Sequence, residues 1–160
     1  MRRILLVLGL VALLAVPAVV TAAARTDGSL SVKRGRATIT VKLRRGTVIG
    51  SMASGTIRIR DLGPYDASIP QIRHCRLRYP DSTTIACTGK KITFRALDGR
   101  FTTHLKGSGI FLSAVGRGSA TLMGAASTRF PNNGQMSLDN GPYQPIPDLE
   151  TTFSLGSPTP

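Results

Sequence analysis

Short stretches of alternating apolar and polar residues run through the chain, and they restrict it to a β fold. The clearest is ATITVKLR at residues 37–44, where every second residue is apolar. Because successive side chains of a strand point to opposite faces, this pattern predicts a strand with one buried face. Comparable strand patterns occur at residues 29–34, 46–52, 55–61, 90–97, 100–106, 108–115, 118–124, 135–138 and 151–155. With no helical period after residue 24, the chain is predicted to be all-β.

Glycine-containing sequences separate these predicted strands. Arg34-Gly35-Arg36, Asp98-Gly99 and Gly116-Arg117-Gly118 are typical of tight turns. Such short connections join antiparallel neighbours. We therefore expect an antiparallel meander that forms a closed or partly closed barrel, with a β-sandwich as the alternative.

Two further features concern the organisation of this domain. Residues 42–59 resemble residues 104–123, which is compatible with an internal duplication of a β-meander; the alternative is a chance likeness of two glycine-rich strand pairs. Residues 125–149 are rich in proline and asparagine and predict a long loop. We expect this loop to cross one end of the β core as a strap, with Tyr143 and Ile146 packed inward.

The first 24 residues have the pattern of an export signal. Arg2 and Arg3 precede an apolar run at residues 4–20, and Ala22-Ala23-Ala24 supplies the small residues of a cleavage site. We expect a cleaved signal peptide at residues 1–24, a single all-β domain at residues 25–155 and a flexible tail at residues 156–160. The alternative is an uncleaved N-terminal anchor. After cleavage no transmembrane segment is expected, so the predicted location is secreted or extracytoplasmic, in the cell envelope.

Both cysteines of the chain lie in the stretch IRHCRLRYPDSTTIACT at residues 72–88. A hairpin turning at Asp81 would place Cys75 directly opposite Cys87 on a largely apolar face. Two free thiols would be favoured in a reducing compartment, whereas export favours a disulfide. We therefore predict a Cys75–Cys87 disulfide.

The chain is strongly basic, with a formal net charge of +13. Nine basic residues fall on the outward parity of their predicted strands. They are Lys42, Arg44, Arg58, Arg60, Arg76, Arg78, Lys91, Arg95 and Lys106. Cations on neighbouring strands would attract a polyanion by long-range Coulomb attraction and counterion release. The alternative is that these are solvated outward positions without a partner.

No catalytic or cofactor motif stands out. The two histidines, His74 and His104, fall among arginines and lysines, and most acidic residues sit in turn sequences. We therefore predict no catalytic site, no cofactor and no metal site. The predicted function is that of a non-catalytic secreted or cell-envelope protein, associating with an anionic cell-wall polymer, polysaccharide or lipid headgroups, with nucleic acid as a further candidate partner. The alternatives are a barrel that binds a small ligand in its interior and an enzyme whose site is assembled only in three dimensions.

Overall fold

The computed structural model describes residues 26–63, 69–128 and 131–156, and these residues form strands and no helix. The strands are β1 (Gly28–Asp61), β2 (Gln71–Arg73), β3 (Arg76–Asp81), β4 (Thr84–Gly124), β5 (Gln135–Leu138), β6 (Gln144–Pro145) and β7 (Thr151–Leu155). Every pairing between them is antiparallel. The prediction of an all-β, antiparallel fold is therefore confirmed. Within the described ranges no helix is long and apolar enough to cross a membrane. The expected signal segment at residues 1–24 and residues 157–160 of the expected tail lie outside those ranges.

Two strands, β1 and β4, are far longer than the sequence predicts, at 34 and 41 residues. The three expected tight turns at Arg34-Gly35-Arg36, Asp98-Gly99 and Gly116-Arg117-Gly118 are wrong, because each lies inside a continuous strand. Arg34 and Asp98 do adopt left-handed backbone conformations, with φ of 55° and 42°. Register shifts accompany both positions, so these residues bend a strand as β-bulges do and do not reverse it.

β1 and β4 pair with each other twice, in two registers. Leu105 of β4 is the partner of Ile39 on one side and of Ile57 on the other. The two halves of β1 therefore lie on either side of one segment of β4. The segments whose sequences resemble each other are partners here: Ser54 pairs with Ser108, and Gly46 pairs with Gly116.

Two cross-sections through the sheet show its extent. At the level of Leu105 the order of residues is Leu77, Cys87, Ile57, Leu105, Ile39, Leu122, Thr151. At the level of Leu112 the order is Ile72, Phe94, Gly50, Leu112, Val32, Met136, Gln144. The first ends at β3 and β7 and the second at β2 and β6. The sheet is thus not closed into a barrel, and the expected barrel is not confirmed.

Buried hydrophobic residues from both cross-sections form one core. Outside the cysteine hairpin, the inward positions predicted from alternation are buried: Leu30, Val32, Ala37, Ile39, Val41, Leu43, Ile57, Ile59, Ile92, Phe94, Ala96, Phe101, Thr103 and Leu105. In the segment after β4, the strand expected at residues 135–138 is present as β5. The strap prediction holds for Ile146, which is buried, and is wrong for Tyr143, which is exposed. The Tyr143 ring lies beneath the Lys33 ammonium group, 3.9 Å from it.

The cysteine hairpin forms in a register different from the predicted one. The turn is Ser82-Thr83, and Leu77 rather than Cys75 is the partner of Cys87. Cys75 precedes β3, and its Cα lies 6.1 Å from that of Cys87, with the sulfurs at disulfide-bonding distance. The pairing of the two cysteines is therefore supported although the register is not. The face expected to be buried is partly open, since the Tyr79 side chain is 68% exposed.

Candidate anion-binding surface

The outward side of the first cross-section carries six of the nine predicted cations. We call this surface the cationic face; its members are Lys42, Arg58, Arg60, Arg76, Arg78 and Lys106, all exposed. The other three cations are not on this face. Arg44 lies on β1 beyond Lys42, and Arg95 belongs to the second cross-section. Lys91 lies in β4 and has a left-handed backbone with φ of 54°. The structure therefore brings together most, but not all, of the residues in the predicted set.

Five of the six cations lie on alternate strand segments of this face, and Lys106 lies on the segment of β4 between two of them. Ala86 lies between Arg78 and Arg58, and Thr102 lies between Arg60 and Lys42. Neighbouring strands are about 4.8 Å apart, so each such pair of cations is separated by roughly 10 Å. A spacing near the Debye length at physiological salt keeps their mutual repulsion modest. An extended chain of anionic groups could meet several of them together.

Hydroxyl groups occupy several positions on the same face, and three cross-strand contacts hold some of them. The Thr40 hydroxyl lies 2.9 Å from Nδ1 of His104. Thr56 and Thr88 share a hydrogen bond of 3.0 Å, and a similar bond of 2.8 Å joins a threonine pair between β4 and β7. The face therefore offers ordered hydroxyls near some of its cations, which suits a partner that carries both charge and hydroxyl groups.

The cationic face continues at its edge into a cleft of about 810 Å³. Lys42 and Thr102 belong to both surfaces. We call this the basic cleft; its cations are Lys42, Arg44, Arg45, Arg100 and Arg117. No carboxylate is among the described residues that line it. A concave surface lined by charges of one sign focuses the electrostatic potential and raises the local concentration of counterions.

Strand bends explain why arginines converge there. Gly46 of β1 has two partners in β4, Gly99 on one side and Gly116 on the other. Each glycine has an arginine beside it in sequence, so Arg45, Arg100 and Arg117 are carried to the same corner. A side chain at Gly116 would overlap the carbonyl oxygen of Arg45, so the close approach of the backbones requires glycine.

Two of the five cleft cations have described carboxylate partners outside the lining. Arg45 Nε lies 3.4 Å from Asp98, and Arg117 Nε lies 3.0 Å from Asp27. The first pair is about four-fifths exposed on both sides, so solvent screens it strongly. Arg45 and Arg117 are themselves direct cross-strand partners, an arrangement of like charges that is unfavourable. An added anion would relieve the repulsion between these two arginines.

Sequence reasoning found Lys42 and Arg44 of this cleft and missed Arg45, Arg100 and Arg117. Arg45 and Arg117 fall outside the predicted strands, beside glycines assigned to turns or strand ends. Arg100 is outward by parity, but it stands at the first position of its predicted strand, next to the expected Asp98-Gly99 turn, and was not included in the predicted set. The available signal was the repeated arginine–glycine pair at residues 45–46, 99–100 and 116–118.

Histidines and acidic residues, which an enzyme site would need, have other environments. His74 is exposed and has a left-handed backbone with φ of 66°. Asp148 accepts a hydrogen bond from the amide of Asn133, and Asp66 lies outside the described residues. Within the described part of the chain, no group of three or more potential metal ligands occurs. Comparison with known proteins finds no family model, no curated protein and no solved structure that matches the chain.

Proposed function

We propose that this is a non-catalytic protein of the cell envelope or extracellular space that binds an anionic polymer along the cationic face and in the basic cleft. The observation that carries the proposal is the cleft: three cations from one segment of β1 and one from each of two separate segments of β4 line one concavity, and no carboxylate is among its described lining residues. Scattered solvated charges would not be expected to converge in this way.

A polymer suits the site better than a single small anion does. The cleft and the cationic face share Lys42 and Thr102, so one extended ligand could contact both. The aromatic residue in the lining, Phe101, is fully buried and offers no stacking surface to a nucleobase. These features favour an anionic wall polymer or acidic polysaccharide over single-stranded nucleic acid.

Three features of the fold bear on the same proposal. We infer that the sheet folds back on itself as a β-sandwich, since the two cross-sections share one core and each ends in short edge strands. The interior is filled by fully buried side chains such as Phe101, Ile39 and Leu105, which favours a surface site over an internal ligand cavity. The Cys75–Cys87 pair at disulfide-bonding distance is compatible with an extracytoplasmic location.

The test compares two variants that remove equal charge. Lys42→Gln/Arg44→Gln/Arg100→Gln changes the cleft, and Lys90→Gln/Lys91→Gln/Arg95→Gln is the matched control outside the cleft and the cationic face. Both would be measured for retention on immobilised heparin as a function of salt. If the three cleft cations each contact the polymer, the slope of log affinity against log salt should fall by about 2–3 in the cleft variant.

The control variant should keep nearly the original slope. Equal losses in the two variants would show that only net charge matters, and the proposed site would then be wrong. A purified anionic wall polymer in solution should compete with heparin for the original protein and fail to compete for the cleft variant.

A further inference from the structure

The outward side of the second cross-section differs from the cationic face, because large apolar side chains are exposed on it. Ile49, Phe111 and Val115 are 48%, 47% and 45% exposed. We call these three residues the apolar strip. Phe111 and Val115 project from one segment of β4, and Ile49 projects from the adjacent segment of β1, opposite Ser113. Diagonal neighbours of this kind are close enough for large side chains to touch, so the strip is continuous.

The strip is not a consequence of core packing. In the sequence Phe111-Leu112-Ser113-Ala114-Val115, the inward residues Leu112 and Ala114 are buried and already serve the core. Outward positions on the cationic face are mainly threonine, arginine and lysine. Exposed apolar side chains grouped on one face commonly mark a surface that contacts a partner.

Cations flank the strip on both sides. Arg95 is the direct strand partner of Ile49, and its Nε donates a hydrogen bond to Gln71, which is neutral. On the other side, Phe111 lines a cleft of about 750 Å³ together with Lys33 and Arg34, both exposed. No carboxylate is present among the described residues that line this second cleft.

We propose that this face docks on an anionic lipid bilayer, with the apolar strip inserted at the level of the headgroups and the flanking cations on lipid phosphates. Surfaces that combine exposed apolar side chains with lysine and arginine bind anionic membranes through both contributions. A second copy of the chain fits less well. Face-to-face pairing would bring Lys33, Arg34 and Arg95 of one copy close to cations of the other, and that repulsion opposes association.

The chain contains no tryptophan, so an introduced one is a unique fluorescent probe. In Phe111→Trp, vesicles of phosphatidylglycerol and phosphatidylcholine in equal parts should shift the emission to the blue, and brominated acyl chains should quench it. Tyr79→Trp, on β3, is the matched control; its position is 68% exposed and lies away from the strip, so neither effect is expected. Vesicles of phosphatidylcholine alone should bind neither variant.

The variant Ile49→Ser/Phe111→Ser/Val115→Ser should bind the mixed vesicles about tenfold or more weakly, because it removes most of the apolar area available for insertion. Its retention on heparin should be unchanged, which shows that it folds and separates this proposal from the polymer proposal. Unshifted Phe111→Trp emission in protein that still binds heparin would overturn the inference. So would equal binding to uncharged vesicles, or a dimer in sedimentation that the serine variant dissociates.

Discussion

Gly116 lies at a close approach of β4 to β1, and its replacement by alanine should both destabilise the fold and disturb the basic cleft. The glycine has φ of +146°, a conformation that costs an L-residue about 1–3 kcal/mol. The added Cβ would overlap the Arg45 carbonyl oxygen and lie 2.6 Å from Cα of Gly46. Backbone atoms cannot rotate away, so the strands must separate and lose about one ladder hydrogen bond, roughly 1 kcal/mol. The expected loss of unfolding free energy is therefore about 3 kcal/mol.

Urea unfolding followed by circular dichroism would measure this loss, and Tm should fall by roughly 6–12 °C, since 1 kcal/mol shifts Tm by about 2–4 °C in a domain of this size. Gly89→Ala is the matched control. Its Cβ would lie 3.4 Å from Cβ of Cys75, which is ordinary contact, and its unfolding free energy should change by less than about 0.5 kcal/mol. Similar stabilities for the two variants would refute the claim that close backbone approach requires glycine at Gly116.

Three further predictions follow from single contacts. The Cys75–Cys87 bond closes a loop with a sequence separation of 12, and its reduction should lower the unfolding free energy by about 3 kcal/mol in urea titrations. Labelling of two thiols in the unfolded, unreduced protein would contradict the bond. Hydrogen bonds from the Thr83 hydroxyl and amide lower the pKa of Asp81 from 3.8. The stability that this carboxylate contributes is therefore present above about pH 4 and is lost as the pH falls through the depressed pKa. NMR titration of Asp81 should show the low pKa, and Thr83→Val should raise it. The Thr103 hydroxyl is buried without a hydrogen-bond partner among the described residues. Thr103→Val should therefore stabilise the protein by about 1 kcal/mol. A loss of stability on heating or in urea would show that the hydroxyl has a partner.

Alternation was enough to predict which side chains of β1 and of the middle of β4 are buried, because the period of two does not depend on which strands pair. This is why Ile39, Phe94 and Leu105 were placed correctly without any knowledge of topology. It failed on β3, where Leu77 and Tyr79 are exposed. The hairpin register was displaced by two residues, which leaves each side chain on the same face. Cys75 and Cys87 could therefore be paired correctly from a wrong register.

Bends and turns could not be distinguished in this way. A tight turn and a bulged strand both use glycine and left-handed residues, as Asp98-Gly99 shows. Only pairing with distant strands decides between them. The same limit applied to the basic cleft: Lys42 followed from strand parity, whereas Arg100 and Arg117 reach the cleft through two registers that are offset along β1 and β4. No local pattern encodes that offset.

The double pairing of β1 and β4 has a consequence for how the chain can fold. Gly28 pairs with Gly116 and Arg60 pairs with Thr84, so most of the ladder joins residues that are far apart in sequence. Closing such long loops costs entropy before any contact is gained, and chains dominated by distant contacts fold slowly. Neither half of the chain holds a complete set of strand partners, since the central segments of β1 pair with segments of β4 and not with each other. We therefore expect no stable fragment, and a nascent chain should stay open until residues near Gly124 are available to it.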